Sequence, residues 1–227
     1  MPNNNRPPII ALDGNHRTGK GTQLDILSGS LTDKGFSPLI LRGDGTRPGK
    51  GKTEGDPLSS WWQNFKDYAN NHENAYIAWR IGARTLLAEA AVHMSNLPEN
   101  GIILFDRGGV SRSQMTLQEG LPVTYENLYK KGVPDIHPDE KMLLALQPDI
   151  TIHLSASTEA LLGRLDKNDP KYEFREGNIR QSNEFFEAGF DAYAALGFGA
   201  TRRIWAEGSI ESMADKIKDA IISEIDL

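Results

Sequence analysis

The sequence predicts an α/β fold: a five-stranded, mainly parallel sheet with helices on both faces. Two observations predict it. Short strand-like runs alternate with longer helical patterns along the whole chain. Several of those runs are continuously apolar, as strands covered on both faces must be. At 227 residues the chain suits one domain, spanning 1–227, with a large core, and is short for two.

Strands are expected at Ile9 to Leu12, Pro38 to Leu41, Ile102 to Phe105, Ile150 to Leu154 and Arg203 to Trp205. Between them, helical patterns fall at Leu24 to Leu31, about Ala75 to Met94, and Ser157 to Leu165. Another lies around Phe185, Phe186, Phe190, Tyr193 and Leu196. The last helix is read from Ile210, Met213, Ile217 and Ile221, an apolar stripe at helical spacing with Ser209 as its N-cap. No internal repeat is visible, and no biased tract beyond the Asn-rich start.

Composition excludes several function classes. A net charge of −6 argues against a general nucleic-acid binder, which needs a basic face to neutralise many phosphates. With no cysteine, thiolate catalysis, disulfides and Cys-ligated zinc are excluded. The polar start Met1 to Arg6 lacks the apolar core of a signal peptide, and no run approaches the length of a membrane span. A soluble cytoplasmic protein with no membrane partner is the expectation. His72, His93 and His137 are scattered, and His153 sits inside a strand as a core histidine, so no His metal site is expected.

The first strand runs directly into Asp13-Gly14-Asn15-His16-Arg17-Thr18-Gly19-Lys20-Gly21-Thr22-Gln23. Gly14, four residues, then Gly19-Lys20 is the spacing of a phosphate-binding loop between a strand and a helix. Polyphosphate must be wrapped by backbone N–H groups, which a Gly-rich turn brings close, and the helix start and a Lys then neutralise its charge. Gly21 stands where the common motif has Ser or Thr, so the hydroxyl that can help hold Mg²⁺ comes one residue later, at Thr22. Open parallel sheets bind ligands at the carboxyl ends of their strands. That rule selects the segment Arg42 to Lys50, with Arg42 and Arg47, and the segment Asp106 to Ser113, with Arg107 and Ser111. Cationic groups converging there suit a phosphoryl donor facing a phosphorylated or hydroxylated acceptor.

These residues resemble the thymidylate kinases within the P-loop nucleoside monophosphate kinases. The match runs nearly end to end: the loop Gly14 to Gln23, the Arg-containing segment after the second strand, Asp106-Arg107 with Ser111 beyond, and Pro148 to Leu154 leading into Thr158 to Leu165. The resemblance implies the three-layer P-loop NTPase/kinase fold, a mobile lid at about 164–180, and a homodimer. It also implies ATP-dependent, Mg²⁺-assisted phosphoryl transfer to a nucleoside monophosphate, dTMP to dTDP in the first instance. By position, Gly14, Asn15, His16, Arg17, Thr18, Gly19, Lys20, Gly21, Thr22 and Arg164 would hold ATP. Lys20 would hold the β and γ phosphates, and Arg17 would stabilise the transferring group. Asp106 and Thr22 would serve Mg²⁺. Arg107, assisted by Arg42 or Arg47, would hold the acceptor phosphate, and Trp79, Arg80, Arg84 and Ser111 would line the acceptor pocket.

Three departures fall in the acceptor half. His16 replaces an Asp of the family's loop, Gly108-Gly109 follow Asp106-Arg107 where an aromatic residue is usual, and Arg80 stands four positions before Arg84 where the family has its stacking aromatic, with Trp79 next to it. They leave open a relative acting on another nucleotide, a nucleoside or a small metabolite. A reading of a different class is an ATP-binding switch with no acceptor. Arg17, Asp106-Arg107 and the lid cations Lys167, Lys171, Arg175 and Arg180 favour transfer over a switch, because they supply charge for an acceptor reaction.

Overall fold

The computed structural model describes residues 6–42, 97–129 and 147–225, with the backbone alone at Arg42. The expected helix at 75–94 lies outside the described residues, as do Arg47, Trp79, Arg80 and Arg84.

All five expected strands are present, four of them one or two residues longer than expected and β5 starting three residues earlier: β1 (Ile9–Gly14), β2 (Ser37–Arg42), β3 (Gly101–Asp106), β4 (Ile150–Ser155) and β5 (Ala200–Trp205). They form one sheet in the order β2-β3-β1-β4-β5, every pairing parallel. The helices are α1 (Lys20–Asp33), α2 (Gly109–Gln118), α3 (Tyr125–Tyr129), α4 (Thr158–Gly163), α5 (Tyr172–Ala194) and α6 (Ile210–Ile222). Pro38 falls in β2, an edge strand, where a missing N–H is tolerated.

The period of a strand divides the core into two layers. Ile10 and Leu12 of β1, with Ile102, Leu104, Ile150, Ile152 and Leu154, meet Leu24, Leu27 and Leu31 of α1 and Met213, Ile217 and Ile221 of α6. Ile9 and Ala11, with Ile103 and Phe105, meet Val110 of α2 and Phe186, Phe190 and Tyr193 of α5 on the opposite face. β1 is thus buried on both sides, which is why its apolar run is unbroken.

Strand order also locates the crevice. After β1 the chain leaves toward β2, and after β3 it returns to β4 on the other side of β1. Neighbouring strands whose connections depart in opposite directions open a cleft at their carboxyl ends. The loop after β1 and the Asp106-Arg107 segment after β3 meet there.

Two elements differ from the sequence pattern. α2 had no apolar stripe to announce it, because it buries Ser111, Ser113, Gln114 and Thr116. α5 begins at Tyr172 rather than near Phe185, so the segment expected as a lid, 164–180, is a short connection followed by the first turns of a 23-residue helix.

The glycine pair after Arg107 has a packing reason. A Cβ on Gly109 would stand 2.0 Å from the Tyr193 ring, and one on Gly189 would stand 2.8 Å from the Gln114 nitrogen. The α2–α5 crossing is therefore backbone against side chain, and the ring of Tyr193 fills space that a side chain on Gly109 would need. Gly109→Ala should destabilise the chain by about 1–3 kcal/mol through overpacking, read by urea unfolding. An unchanged midpoint would show that Tyr193 moves aside freely.

Candidate active site

The loop between β1 and α1 departs from regular backbone at three places. Gly14 has φ 139 and Gly19 has φ 91, and a Cβ on Gly14 would lie 2.5 Å from the Leu154 carbonyl oxygen. Only glycine meets both conditions at Gly14. The third place is Arg17, at φ 65. Asn15 anchors the turn from inside: its side-chain oxygen accepts from the His16 N–H at 2.7 Å and from the Ser182 hydroxyl at 3.1 Å, and its amide donates to Asn183 at 3.1 Å. Asn183 in turn donates to the Ala156 carbonyl at 3.1 Å and to Thr158 at 3.2 Å. Helix α5 and the start of α4 therefore hold the loop in shape.

The first turn of α1 is left open to an anion. Its N-cap, Gly19, supplies no side-chain hydrogen bond, and no acidic residue sits in the first turn. By contrast, Ser157 caps α4 at Ala160 and Ser209 caps α6 at Ser212, each helix also carrying a Glu in its first turn. The positive end of a helix, with backbone N–H groups facing outward, is the standard ground for a phosphate. Lys20 is buried, its ammonium donating to the Gly14 carbonyl at 2.8 Å and the Asn15 carbonyl at 2.7 Å, so its charge sits inside the loop curve. Thr18 is also buried and donates to the Asn15 carbonyl at 2.9 Å. A curved loop with a buried ammonium at its centre has the chemistry to receive a polyphosphate.

For the metal, Asp106 ends β3 half-buried, in register with Leu12 of β1 and with Arg42 of β2. Thr22 is exposed on α1. Among the described residues no group of three His, Asp or Glu side chains forms a metal cage. Mg²⁺ takes most of its ligands from phosphate and water and needs one or two carboxylates, a role to which Asp106 is suited.

Arg17 and Arg107 are the two non-glycine residues with left-handed backbone among the described residues, at φ 65 and φ 78. Such conformations cost of order 1–3 kcal/mol and persist where the surroundings over-determine them. Both are among the arginines to which the family resemblance gives a part in the reaction. Arg17 is partly exposed and lies 3.9 Å from Asp169, which Arg175 approaches to 2.6 Å. Arg164 joins the loop to the β5–α6 connection, donating to the Arg17 carbonyl at 3.0 Å and to the Ala206 carbonyl. The Arg107 guanidinium lies 5.9 Å from the centre of the Phe186 ring. His16 is exposed at the loop's rim.

Two residues at the site have partners that the sequence does not reveal. Ser111 is buried and donates its hydroxyl proton to Asp13. Asp13, not singled out from sequence, is wholly buried and also accepts from the backbone N–H groups of Gly108, Val110 and Ser111. Its partners lie some ninety residues away, which no local pattern reveals.

Behind the site, His153 is fully buried and stacks on Phe190 with ring centres 5.1 Å apart. It bonds Glu187 at 3.1 Å, and Glu187 also accepts from Ser155 at 2.8 Å and faces Arg203 at 3.5 Å. Burial pushes the Glu187 carboxyl up, but His153, Ser155 and Arg203 together outweigh it and hold the group below its usual 4.5. A carboxyl with a depressed folded-state pKa stabilises above the unfolded value and loses that contribution as pH falls through the folded one. Glu187→Gln should therefore be less stable than the unaltered chain at neutral pH, with the gap closing as pH drops below about 4.5. A gap that stays constant with pH would assign Glu187 a packing role only.

No protein-family model matches the sequence, and no curated protein matches it. Solved structures do. The chain is similar to a thymidylate kinase from Candida albicans, at TM-score 0.59 and 17% identity, over 96% of this chain and 92% of that one. It is also similar to a deoxyadenosine kinase from M. mycoides with bound dATP, at TM-score 0.55 and 20% identity, over 94% and 99%. The same enzyme with dCMP and dCDP gives TM-score 0.56 and 19% identity, over 95% and 99%. Across nearly its full length, then, the chain has the α/β architecture of the P-loop kinases, a parallel five-stranded sheet between helical layers.

Proposed function

We propose that this protein is a kinase that moves the γ-phosphoryl group of ATP to a nucleoside monophosphate, dTMP being the first candidate. The observation that carries the reading is the pairing of an uncapped α1 N-terminus and buried Lys20 with two arginines in left-handed backbone, Arg17 on the loop and Arg107 at the end of the adjacent strand. Phosphoryl transfer asks chiefly for positioning and for charge on the equatorial oxygens, and these groups supply both.

In this mechanism the loop amides and Lys20 hold the β and γ phosphates. Asp106 and Thr22 would hold Mg²⁺, which would supply charge neutralisation for the phosphates. Arg17 offers a planar, two-point donor to the transferring group, and Arg107 does the same for the acceptor phosphate. Arg164 steadies Arg17 by bonding its carbonyl. Lys167, Lys171 and Arg180 lie in the 164–180 segment that would close over ATP, excluding water so that transfer outcompetes hydrolysis. Arg42, Arg47, Trp79, Arg80, Arg84 and Ser111 would serve the acceptor in this reading, and a homodimer in the cytoplasm is part of it.

A nucleoside acceptor is the second reading, favoured by the deoxyadenosine kinase likeness, which covers the two chains as fully as the thymidylate kinase one. Incubation with ATP and Mg²⁺ against dTMP, dUMP, dCMP, thymidine, deoxycytidine and deoxyadenosine, with products identified by mass, decides between them. Diphosphate products support the monophosphate kinase. Monophosphate products from nucleosides alone replace it with the second reading.

A further inference from the structure

We propose that Asp13 is a positioning residue that sets the conformation of Arg107, and that Gly108 is glycine to let it do so. The inference rests on the kinase reading for what Arg107 touches, and on geometry for how Arg107 is held. Arg107 has left-handed backbone, φ 78, which an L side chain rarely adopts. The peptides on either side of its Cα are both pinned to the end of β1. Its own N–H donates to the Leu12 carbonyl at 2.9 Å, and the next N–H, that of Gly108, donates to the Asp13 carboxylate at 2.7 Å. With both flanking peptides held, φ and ψ of Arg107 are fixed together.

The same carboxylate accepts from the Val110 N–H at 3.2 Å, the Ser111 N–H at 3.1 Å and the Ser111 hydroxyl. Asp13 thus caps α2 from a different strand, its negative charge set against the positive end of that helix. α2 has no cap of its own, since its N-cap is Gly108. A Cβ on Gly108 would lie 3.2 Å from the Asp13 carboxylate oxygen and 3.2 Å from the Ala11 Cβ, close enough that the carboxylate must shift by a few tenths of an ångström against its N–H donors. This accounts for glycine following Asp106-Arg107.

One consequence is a division of labour between two helix starts at one sheet edge. The α2 start is neutralised by a protein carboxylate, while the α1 start carries neither cap nor acid and is left for phosphate. A second is that Asp13 immediately precedes Gly14, so Arg107 is indexed to the phosphate loop through a single residue.

The test is Asp13→Asn, with Gly108→Ala as a milder second variant that keeps the carboxylate. Both are assayed with ATP and whichever of dTMP, dUMP, dCMP, thymidine, deoxycytidine and deoxyadenosine the unaltered chain phosphorylates. KM for the acceptor should rise roughly tenfold or more, the scale of a lost charged hydrogen bond, with KM for ATP held to within about twofold. A readout independent of turnover is the Arg107 side-chain N–H signal in an NMR spectrum, assigned by its loss in Arg107→Lys. It should shift in both variants. Equal losses toward ATP and acceptor in step with a lower folded fraction, or an unmoved Arg107 signal, would overturn the proposal. Should the unaltered chain phosphorylate none of the acceptors, the kinase reading falls, and the Arg107 signal still decides whether Asp13 positions it. If Asp13→Asn fails to fold, Gly108→Ala carries both readouts.

Discussion

Replacing Lys20 with Ala is expected to lower phosphoryl transfer by about 10²–10³-fold, the scale for removing one preorganised charge from a transition state, with the fold intact. The retained fold follows from where the ammonium points. It bonds the carbonyls of Gly14 and Asn15 in its own loop, and Lys20 belongs to neither of the two apolar layers. Asn15 stays tied to Asn183 and Ser182 without it, so the loop keeps its outer anchor. Product formation and circular dichroism on the purified variant check both halves. Near-normal turnover in a folded variant would remove the phosphate loop from the mechanism.

Arg17→Ala is expected to cost about 10³-fold or more in kcat, as for an arginine donated to a phosphoryl transition state, with a smaller change in KM for ATP. The split matters because a group that acts mainly in the transition state lowers kcat and kcat/KM together. Arg17 is partly exposed with Asp169 at 3.9 Å, a weak contact that leaves the guanidinium free to reorient. Arg17→Lys keeps the charge and loses the fork, so it should recover only part of the rate. An effect confined to ATP binding would contradict the role given to Arg17.

The parts of the molecule visible in sequence are those written locally. β1, β3 and β4 are apolar runs because both sheet faces are covered, and the α6 stripe and its Ser209 cap are complete within one segment. The loop from Gly14 to Thr22 is likewise readable from spacing alone, and Gly14 and Gly19 prove to be positions of positive-φ backbone. What escaped depends on distant partners. The first half of α5, from Tyr172 to Glu184, buries little beyond Ile179 and Asn183, so no apolar period marks it. α2 is hidden by its buried hydroxyls and amide, which pack on α5 across two glycine contacts. Asp13 looked like an ordinary loop entry because its importance lies in the amides of Gly108, Val110 and Ser111. The glycines that follow Arg107 in place of an aromatic residue also have packing neighbours that no local pattern reveals, Asp13 at Gly108 and Tyr193 at Gly109.

The central claim is that this chain transfers phosphate to an acceptor rather than binding or slowly hydrolysing ATP. ADP formation measured with ATP and Mg²⁺, with and without the deoxynucleotide and deoxynucleoside panel, tests it most directly. ADP released only when an acceptor is present, with the label of γ-labelled ATP recovered on that acceptor, is the predicted result. ADP produced at the same rate without any acceptor, the label leaving as inorganic phosphate, would contradict it.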